Sequence, residues 1–378
     1  MDNTKKNPNV PNLRFDFKDE YTVYRLNEIC KRVTRKNKNI ESTLPLTISA
    51  QYGLVDQITF FNKSVASSNL EGYYLLKNGE FAYNKSYSKD YPWGAIKRLD
   101  KYEQGCLSTL YICFDINKKC NSDYLVHYFE SPKWYKQVSD IAGEGARNHG
   151  LLNISVDDFF QTKHRFPSLD EQLKVSKLLN LIETRIQTQI KIIEEYKTLK
   201  SSLNKRLINN SEGNFTLENC IISNTSNLKE SDVLISNDGI YPVYGANGII
   251  KYIDKYDIDQ RSISIVKDGA GVGRLQYHKG KYSIIGTLNY LTSKGLFDLK
   301  YIYYAMKNIN FKNYVVGTGI PHIYFKDYKK EKIKITTNEE INKIVKILTD
   351  IDEYIYLQEK LLDKLMIEKK FLLNNLFV

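Results

Sequence analysis

The chain contains 378 residues, which is long enough for two or three domains with buried cores. Hydrophobic residues make up 42% and charged residues 26%, so the composition excludes wholesale disorder, and no apolar run of about 18 residues predicts a transmembrane helix. The net charge of +11 and the pI near 9.0 favour a polyanionic partner such as nucleic acid. Because a chain rich in Lys, Asn, Ile and Tyr is also typical of an AT-rich genome, charge alone leaves that partner undecided.

Residues 1–10 are polar and lack an apolar core, so they predict no secretory signal. The five cysteines form no CxxC pair and are odd in number, which excludes a zinc ribbon and a secreted disulfide scaffold. This pattern favours a cytoplasmic location, where cysteines stay reduced. The five cysteines are Cys30, Cys106, Cys113, Cys120 and Cys220. The five histidines are scattered, so we expect no dense metal site.

Two polar segments of the first globular region are candidates for binding. Arg32, Arg35 and Lys36 form a basic cluster that is interpreted either as a solvated face or as a grip on phosphates. Residues 144–150 form a glycine-bearing loop with three side chains able to hydrogen-bond to base edges, although a plain loop would explain the glycines equally well. Those side chains are Arg147, Asn148 and His149.

Residues 168–208 and 337–377 both have apolar residues at alternating spacings of four and three, which predicts two long helices with coiled-coil seams of roughly 50 Å. Each seam residue of the second helix lies 169 positions after a counterpart in the first, and seven of ten pairs are identical. Two identical pairs are polar, Gln189 with Gln358 and Lys200 with Lys369, and unrelated helices have no reason to share them. The chain is therefore predicted to be an internal duplication whose sister helices pair. The central seam consists of Leu179, Ile182, Ile186, Gln189, Ile193, Leu348, Ile351, Ile355, Gln358 and Leu362.

Weaker signals extend the repeat beyond the helices. Residues 24–30 resemble residues 215–221 at an offset of 191, and Asp158 aligns with Asp327 at 169, so the second globular region is about 22 residues shorter. Ser168 with Glu171, and Thr337 with Glu340, predict capping boxes at the two helix starts.

Both globular regions are predicted to be β-rich with some helix. Residues 241–250 carry turn chemistry, residues 261–266 alternate polar and apolar, and residues 300–307 predict a short helix. The glycine-rich run at 267–274 lacks the spacing of a dinucleotide fingerprint and is interpreted as a tight turn. The alternative is a loop whose bare backbone, with Lys267 and Arg274, approaches a phosphate or a base edge.

The loop at 317–322, with Thr318 and His322, occupies the repeat position of the loop at 144–150. Equivalent loops with different side chains on a duplicated frame would suit two readers of different DNA sequences. No catalytic motif accompanies them: the sequence has no GxxxxGK[ST], HExxH, NPPY-like or PD-(D/E)xK pattern, so the residues predict no catalytic site.

Three segments of the chain resemble the specificity (S) subunit of type I restriction-modification systems. Residues 9–15 (NVPNLRF) are similar to the family's opening, residues 166–172 (FPSLDEQ) to the start of its first conserved helix, and residues 239–248 (GIYPVYGANG) to a recurring segment of its target-recognition domains. The second helix begins without the family's usual Pro and Gln.

The resemblance implies an α+β fold with two β-rich target-recognition domains separated by two long α-helices that form an antiparallel coiled coil, as a pseudo-twofold internal repeat. The predicted boundaries are 1–166 and 210–335 for the recognition domains, and 167–209 and 336–378 for the spacer helices. Each domain would read one half of a bipartite double-stranded DNA site, and the helices would set the spacing.

By the same resemblance, this chain is a non-catalytic, cytoplasmic subunit that joins two methyltransferase (M) subunits and two restriction/motor (R) subunits. S-adenosylmethionine, ATP and magnesium would belong to those partners, and the assembled complex would methylate adenine and cleave DNA. Two alternatives remain: a non-enzymatic coiled-coil assembly protein, and a self-contained DNA methyltransferase or nuclease.

Overall fold

The computed structural model describes residues 9–49, 52–63, 69–88, 91–142, 150–295 and 297–378. The chain divides into two compact units, one made of Met1–Ile190 with Leu361–Val378 and the other of Lys191–Lys360. Each unit therefore combines a β-rich region with parts of both long helices.

The first unit builds its β-rich region from short strands. The strands are β1 (Thr22–Arg25), β2 (Cys30–Arg32), β3 (Leu46–Ser49), β4 (Gly53–Asp56), β5 (Tyr74–Lys77), β6 (Phe81–Asn84), β7 (Ala95–Arg98), β8 (Gln104–Leu107), β9 (Ile112–Ile116) and β10 (Lys163–Phe166). The helices are α1 (Leu26–Ile29), α2 (Gln57–Phe61), α3 (Ser122–Tyr128), α4 (Tyr135–Ile141), α5 (Val156–Gln161) and the start of α6 (Leu169–Leu207).

The second unit also combines short strands with helices. Its strands are β11 (Phe215–Thr216), β12 (Ile221–Thr225), β13 (Asp238–Gly245), β14 (Gly248–Ile253), β15 (Ile258–Asp259), β16 (Ser262–Val266), β17 (Leu275–His278), β18 (Lys281–Ile284), β19 (Leu288–Ser293) and β20 (Lys332–Ile333). Its helices are α7 (Leu217–Cys220), α8 (Glu230–Ile235), α9 (Leu299–Met306), α10 (Phe325–Tyr328) and most of α11 (Asn338–Asn375).

Matching sheets confirm the internal duplication. Antiparallel four-stranded sheets have the order β2-β9-β6-β7 in the first unit and β12-β19-β16-β17 in the second. The second unit has a further four-stranded sheet, in the order β14-β13-β18-β15. Two-stranded antiparallel pairs, β1 with β10 and β11 with β20, close the two regions at equivalent places. Helix α7 begins 191 residues after α1, and α10 begins 169 residues after α5, as the predicted offsets require.

Inside each unit, α6 and α11 pack antiparallel. In the first unit, Ile182 and Ile186 of α6 form a buried apolar cluster with Leu365 of α11. In the second unit the rings of Tyr196 and Tyr354 lie 4.4 Å apart. Seven of the ten predicted seam residues are buried. The other three, Ile351, Gln358 and Leu362, are half-buried.

The repeated seam lysines form the same ion pair twice. Lys369 binds Glu183 at 2.6 Å between Nζ and Oε2 in the first unit, and Lys200 binds Asp352 in the second. Glu183 and Asp352 are themselves 169 positions apart, as are the two lysines. The duplication therefore preserves both partners of a charged contact, which explains why the seam keeps lysine at this place.

The predicted capping boxes have different outcomes. At α11, the backbone N–H of Glu340 donates to Thr337 Oγ1 at 3.3 Å, which is the threonine half of the predicted box, while the Glu340 carboxylate accepts the Thr336 hydroxyl. At α6 the prediction is wrong, because buried Glu171 accepts hydrogen bonds from Arg14 (2.8 Å) and Tyr21 (3.0 Å). The carboxylate of Glu171 thus ties the N-terminal segment to the helix start instead of capping it.

Candidate nucleic-acid interface

Three loops of the second unit lie side by side: the turn at 245–248, the glycine-rich loop at 267–274 and the hairpin at 316–322. The guanidinium of Arg274 donates through Nη1 to Ala246 O and to Asn247 Oδ1, both at 2.9 Å. On the other side of the glycine-rich loop, the Gly269 N–H donates to Pro321 O at 2.8 Å. Backbone and side-chain bonds therefore join loops that are far apart in sequence.

The glycine-rich loop is a tight turn, as the simpler interpretation predicted. Gly269, Gly271 and Gly273 all have positive φ values (85°, 90° and 84°), a backbone conformation that L-residues rarely adopt. A Cβ at position 273 would also lie 2.7 Å from Phe311 Cβ, so a side chain has no room there. The glycines thus let the loop fold tightly while Arg274, at its end, stays exposed.

The hairpin at 316–322 presents its tip to solvent. Val316 and His322 exchange two backbone hydrogen bonds of 2.9 Å, and Gly317 turns the chain with φ of 93°. Thr318 is exposed, and Ile320 is 68% exposed, which is high for an aliphatic side chain. The tip therefore offers a hydroxyl, an aliphatic surface and a nearby imidazole.

Charge and hydrogen-bonding groups accompany this shape. The side chain of Lys267 is only 25% exposed, and its Nζ atom lies 4.0 Å from Asp268 Oδ2. The backbone at Lys267 is held as well, because the Ile323 N–H donates to Lys267 O at 2.9 Å. The His322 ring packs edge-on against Tyr324 at 5.1 Å. Cationic, amide and imidazole donors on adjoining loops are the groups that contact DNA phosphates and base edges.

The basic cluster of the first unit has mixed surroundings. Arg32 is exposed on β2. Arg35 donates to both carboxylate oxygens of Glu80, at 2.7 and 2.9 Å, and Lys36 Nζ donates to Gly72 O at 2.7 Å while lying 4.5 Å from the Tyr74 ring centroid. Arg35 and Lys36 thus already bind groups of their own unit.

The other predicted DNA-binding residues of the first unit cannot be placed beside these. Arg147, Asn148 and His149 lie outside the described residues, so their role stays a prediction. Sequence reasoning also missed Asn247 and Ile320. It identified only turn chemistry around Asn247, and no local pattern marks an exposed isoleucine at a hairpin tip.

The described residues also bear on metal binding, thiol chemistry and membrane insertion. Across the described ranges, no group of three or more His, Cys, Asp or Glu side chains could hold a metal ion. The five cysteines are buried free thiols, and burial raises the pKa of Cys106 and of Cys220 to about 11, so these two thiols stay protonated at neutral pH. Among the helices of the described parts, none is long and apolar enough to span a membrane.

Comparison with known proteins finds a family match that lies mostly within the second unit. Residues 215–366, which include all three loops, match the family model of the type I restriction modification DNA specificity domain. The Type I restriction enzyme MjaVIII specificity subunit of Methanocaldococcus jannaschii is 32% identical over 124 residues, or 32% of this chain. The aligned part spans only 29% of that relative's length.

Two solved structures share the fold over nearly the whole chain. The type I restriction-modification S subunit from M. genitalium has a TM-score of 0.64 at 16% identity, covering 98% of this chain and 99% of its own. A structure reported for complex assembly and conformational transition of the type I R-M system has a TM-score of 0.57 at 17% identity, covering 96% and 99%. At these identities the likeness concerns the fold, and it confirms the predicted architecture. The family match supports the resemblance to specificity subunits for residues 215–366.

Proposed function

We propose that this chain selects the DNA sequence on which a type I restriction-modification complex acts, because residues 215–366 match the family model of the type I restriction modification DNA specificity domain. The observation that carries the proposal is the meeting of three loops inside that domain, joined by Arg274 and by the Gly269–Pro321 hydrogen bond. Loops that are joined by hydrogen bonds can hold donors against a duplex, so that less conformational entropy is lost when each contact forms. In this proposal Lys267, Arg274, Thr318 and His322 contact the DNA.

The duplication extends the proposal to a bipartite site. Each unit has a four-stranded sheet in the same order, so each can present loops from the same frame. Different side chains on equivalent loops would read different half-sites, with Arg147, Asn148 and His149 on the first unit, and with Arg32, Arg35 and Lys36 contacting phosphates. The long helices would set the distance between the half-sites.

The helices also supply surface for partner subunits. Exposed apolar residues occur along α11, and Leu357, Ile367 and Phe371 are 60%, 68% and 55% exposed. In the proposed complex, two methyltransferase subunits dock on the helices and two restriction/motor subunits join them. S-adenosylmethionine, ATP and magnesium belong to those partners, and this chain supplies sequence choice rather than chemistry.

The decisive experiment combines this full chain with a type I methyltransferase subunit from the same source and maps methylated adenines on random-sequence DNA. We expect methylation at one bipartite sequence when both proteins are present, and none with either protein alone. Methylation by the lone chain would favour the self-contained enzyme. Assembly without any sequence preference would favour the coiled-coil assembly protein.

A further inference from the structure

A cavity of about 430 Å³ lies within the second unit, away from the three loops in sequence. It is lined by the C-terminal half of α6, by the end of α9 with the two residues after it, and by the middle of α11, and it opens to solvent. Its volume falls in the range of about 300–1,000 Å³ that is usual for ligand sites. The side chains that matter for its chemistry are Lys200, Tyr303, Lys307 and Asp352.

Positive charge exceeds negative charge around this cavity. Asp352 uses one carboxylate oxygen for Lys200 and accepts the Tyr304 hydroxyl on the other at 2.8 Å, so both oxygens are engaged. The carboxylate of Asp352 is therefore not free to neutralise a further lysine of the lining. On the rim, Lys197 and Glu359 neutralise each other at 2.6 Å.

Two further lysines are held by neutral groups: Lys307 lines the cavity, whereas Lys300 lies beside the rings of Tyr303 and Tyr304 and is not part of the lining. Lys307 Nζ donates to Leu275 O at 3.0 Å, and Lys300 Nζ lies 4.2 Å from the Tyr277 ring centroid. Crowding by surrounding protein atoms, reinforced by the charge of Lys200, lowers the pKa of Lys307 to about 8. Crowding likewise lowers the pKa of Lys300. The lining therefore contains three lysines and two carboxylates, and both carboxylates are paired with other lysines, so Lys307 has no lining carboxylate as its ion-pair partner.

We propose that this cavity binds a phosphate group between Lys200 and Lys307. A phosphate would supply the counter-charge that Lys307 lacks, would share Lys200 with Asp352, and accepts several hydrogen bonds. Two sources share this chemistry: a backbone phosphate of DNA and a free nucleotide or inorganic phosphate. The DNA source is favoured because Lys307 binds the carbonyl of Leu275, the residue next to Arg274, so it adjoins the loop that is proposed to contact DNA. Only this source rests on the proposed function.

The first experiment titrates the full chain with inorganic phosphate and with ATP by isothermal calorimetry. We expect Lys307→Met to weaken phosphate binding about tenfold, because one charge-assisted contact is lost. We expect Asp352→Asn to strengthen it, because a competing anion is removed while an acceptor for Tyr304 remains. Lys343→Met is the matched control, since Lys343 is 69% exposed on α11 and lies outside the cavity lining. If circular dichroism shows that Asp352→Asn does not fold, Lys300→Met is measured instead, and it is expected to weaken phosphate binding because a cation beside the cavity is removed.

The second experiment measures duplex binding by the chain with its methyltransferase partner over a range of salt concentrations. If DNA supplies the phosphate, Lys307→Met reduces the slope of log K against log[salt] by about 0.9, and Lys343→Met leaves it unchanged. If a free nucleotide supplies it, ATP binding falls and the salt slope stays constant. Wild-type values for Lys307→Met in both experiments would overturn the proposal. Phosphate binding by a chain that selects no DNA sequence would instead overturn only the proposed function.

Discussion

Arg274 is the side chain that joins two of the three candidate loops while remaining exposed. Its Nη1 atom satisfies Ala246 O and Asn247 Oδ1, so the guanidinium is held in a fixed position at the surface. A guanidinium fixed in this way can pair with a base edge at a lower entropic cost than a mobile one.

We expect Arg274→Ala to reduce sequence discrimination by about 1–3 kcal/mol at one base pair if Arg274 reads a base, and to weaken all duplexes equally if it contacts a phosphate. Methylation rates on a set of single-base variants of the mapped site distinguish these results. Arg206→Ala, which removes an exposed arginine from α6, is the control. Unchanged binding to both specific and random duplexes would exclude Arg274 from the interface.

His278 is a buried residue whose protonation should make the second unit sensitive to acid. Its Nε2 atom lies 2.7 Å from Ser264 Oγ, and the Tyr244 ring packs 4.2 Å away. Burial lowers the pKa of His278 to about 4, whereas an unfolded histidine titrates near pH 6.5. Between these values the unfolded state binds more protons than the folded state, so acidification lowers the free energy of unfolding.

The urea midpoint should therefore fall between pH 6.5 and 4, with His278 contributing up to about 1.4 kcal/mol per pH unit. In His278→Gln the same acidification should lower the midpoint less, because the substituted side chain does not titrate. Measurements at pH 7 and pH 5 on both proteins provide the comparison. An equally steep fall in the variant would show that other groups control the acid response.

At the scale of elements, the ion pairs between α6 and α11 specify how the helices align within each unit. In the first unit Lys369 binds both Glu130 (2.9 Å) and Glu183 (2.6 Å), and so connects α11 to the end of α3 as well as to α6. Burial acts to raise the pKa of Glu130, but the charges of Lys97 and Lys369 outweigh it and lower that pKa to about 2. This stabilisation is present above about pH 4.5 and is lost as the pH falls toward 2.

Replacing Lys369 with Met should reduce the stability of the first unit by about 1–3 kcal/mol at neutral pH, because Glu130 and Glu183 are left facing each other with one fewer cation. Lys370→Met changes the neighbouring, exposed lysine and is expected to have little effect. Chemical denaturation at pH 7 tests the pair. Equal losses in the two variants would indicate a general charge effect rather than a specific contact.

At the scale of the whole molecule, α6 runs without interruption from Leu169 to Leu207 and contributes to both units. In the proposed function this continuity sets the spacing of the two half-sites. A heptad inserted after position 190 in α6, with another after position 360 in α11, preserves the seam and adds about 10.5 Å of helix. That length corresponds to about three base pairs of DNA at ~3.4 Å each.

We therefore expect the double insertion to lengthen the unspecified spacer of the methylated site by about three base pairs and to leave both half-sites unchanged. Mapping methylated adenines in random DNA measures the spacer directly. A heptad inserted in α6 alone is the control, because it misaligns the helices and should abolish activity. An unchanged spacer in the double insertion would contradict the idea that the helices measure distance.

Patterns of local origin were predictable from the sequence alone. The heptad spacing specified both long helices, and the shared offset of 169 revealed the duplication and its repeated lysines. The prediction for residues 261–266 was less complete: the alternation indicated a strand, but β16 is buried along its whole length. Its two serines, Ser262 and Ser264, can be buried because they form hydrogen bonds with Tyr282 and His278. No pattern within the segment predicts these distant partners.

The amino-acid sequence by itself determined the repeat, the helices and the glycine turn, because each depends on residues a few positions apart or on similarity between two segments. Only the tertiary structure decided that Arg274 meets Asn247, that the glycine-rich loop meets the hairpin at Pro321, and that Glu171 binds Arg14 rather than capping α6. These contacts join residues between 27 and 157 positions apart. They depend on the path that the chain follows between the partners, and that path is set by the packing of the whole unit.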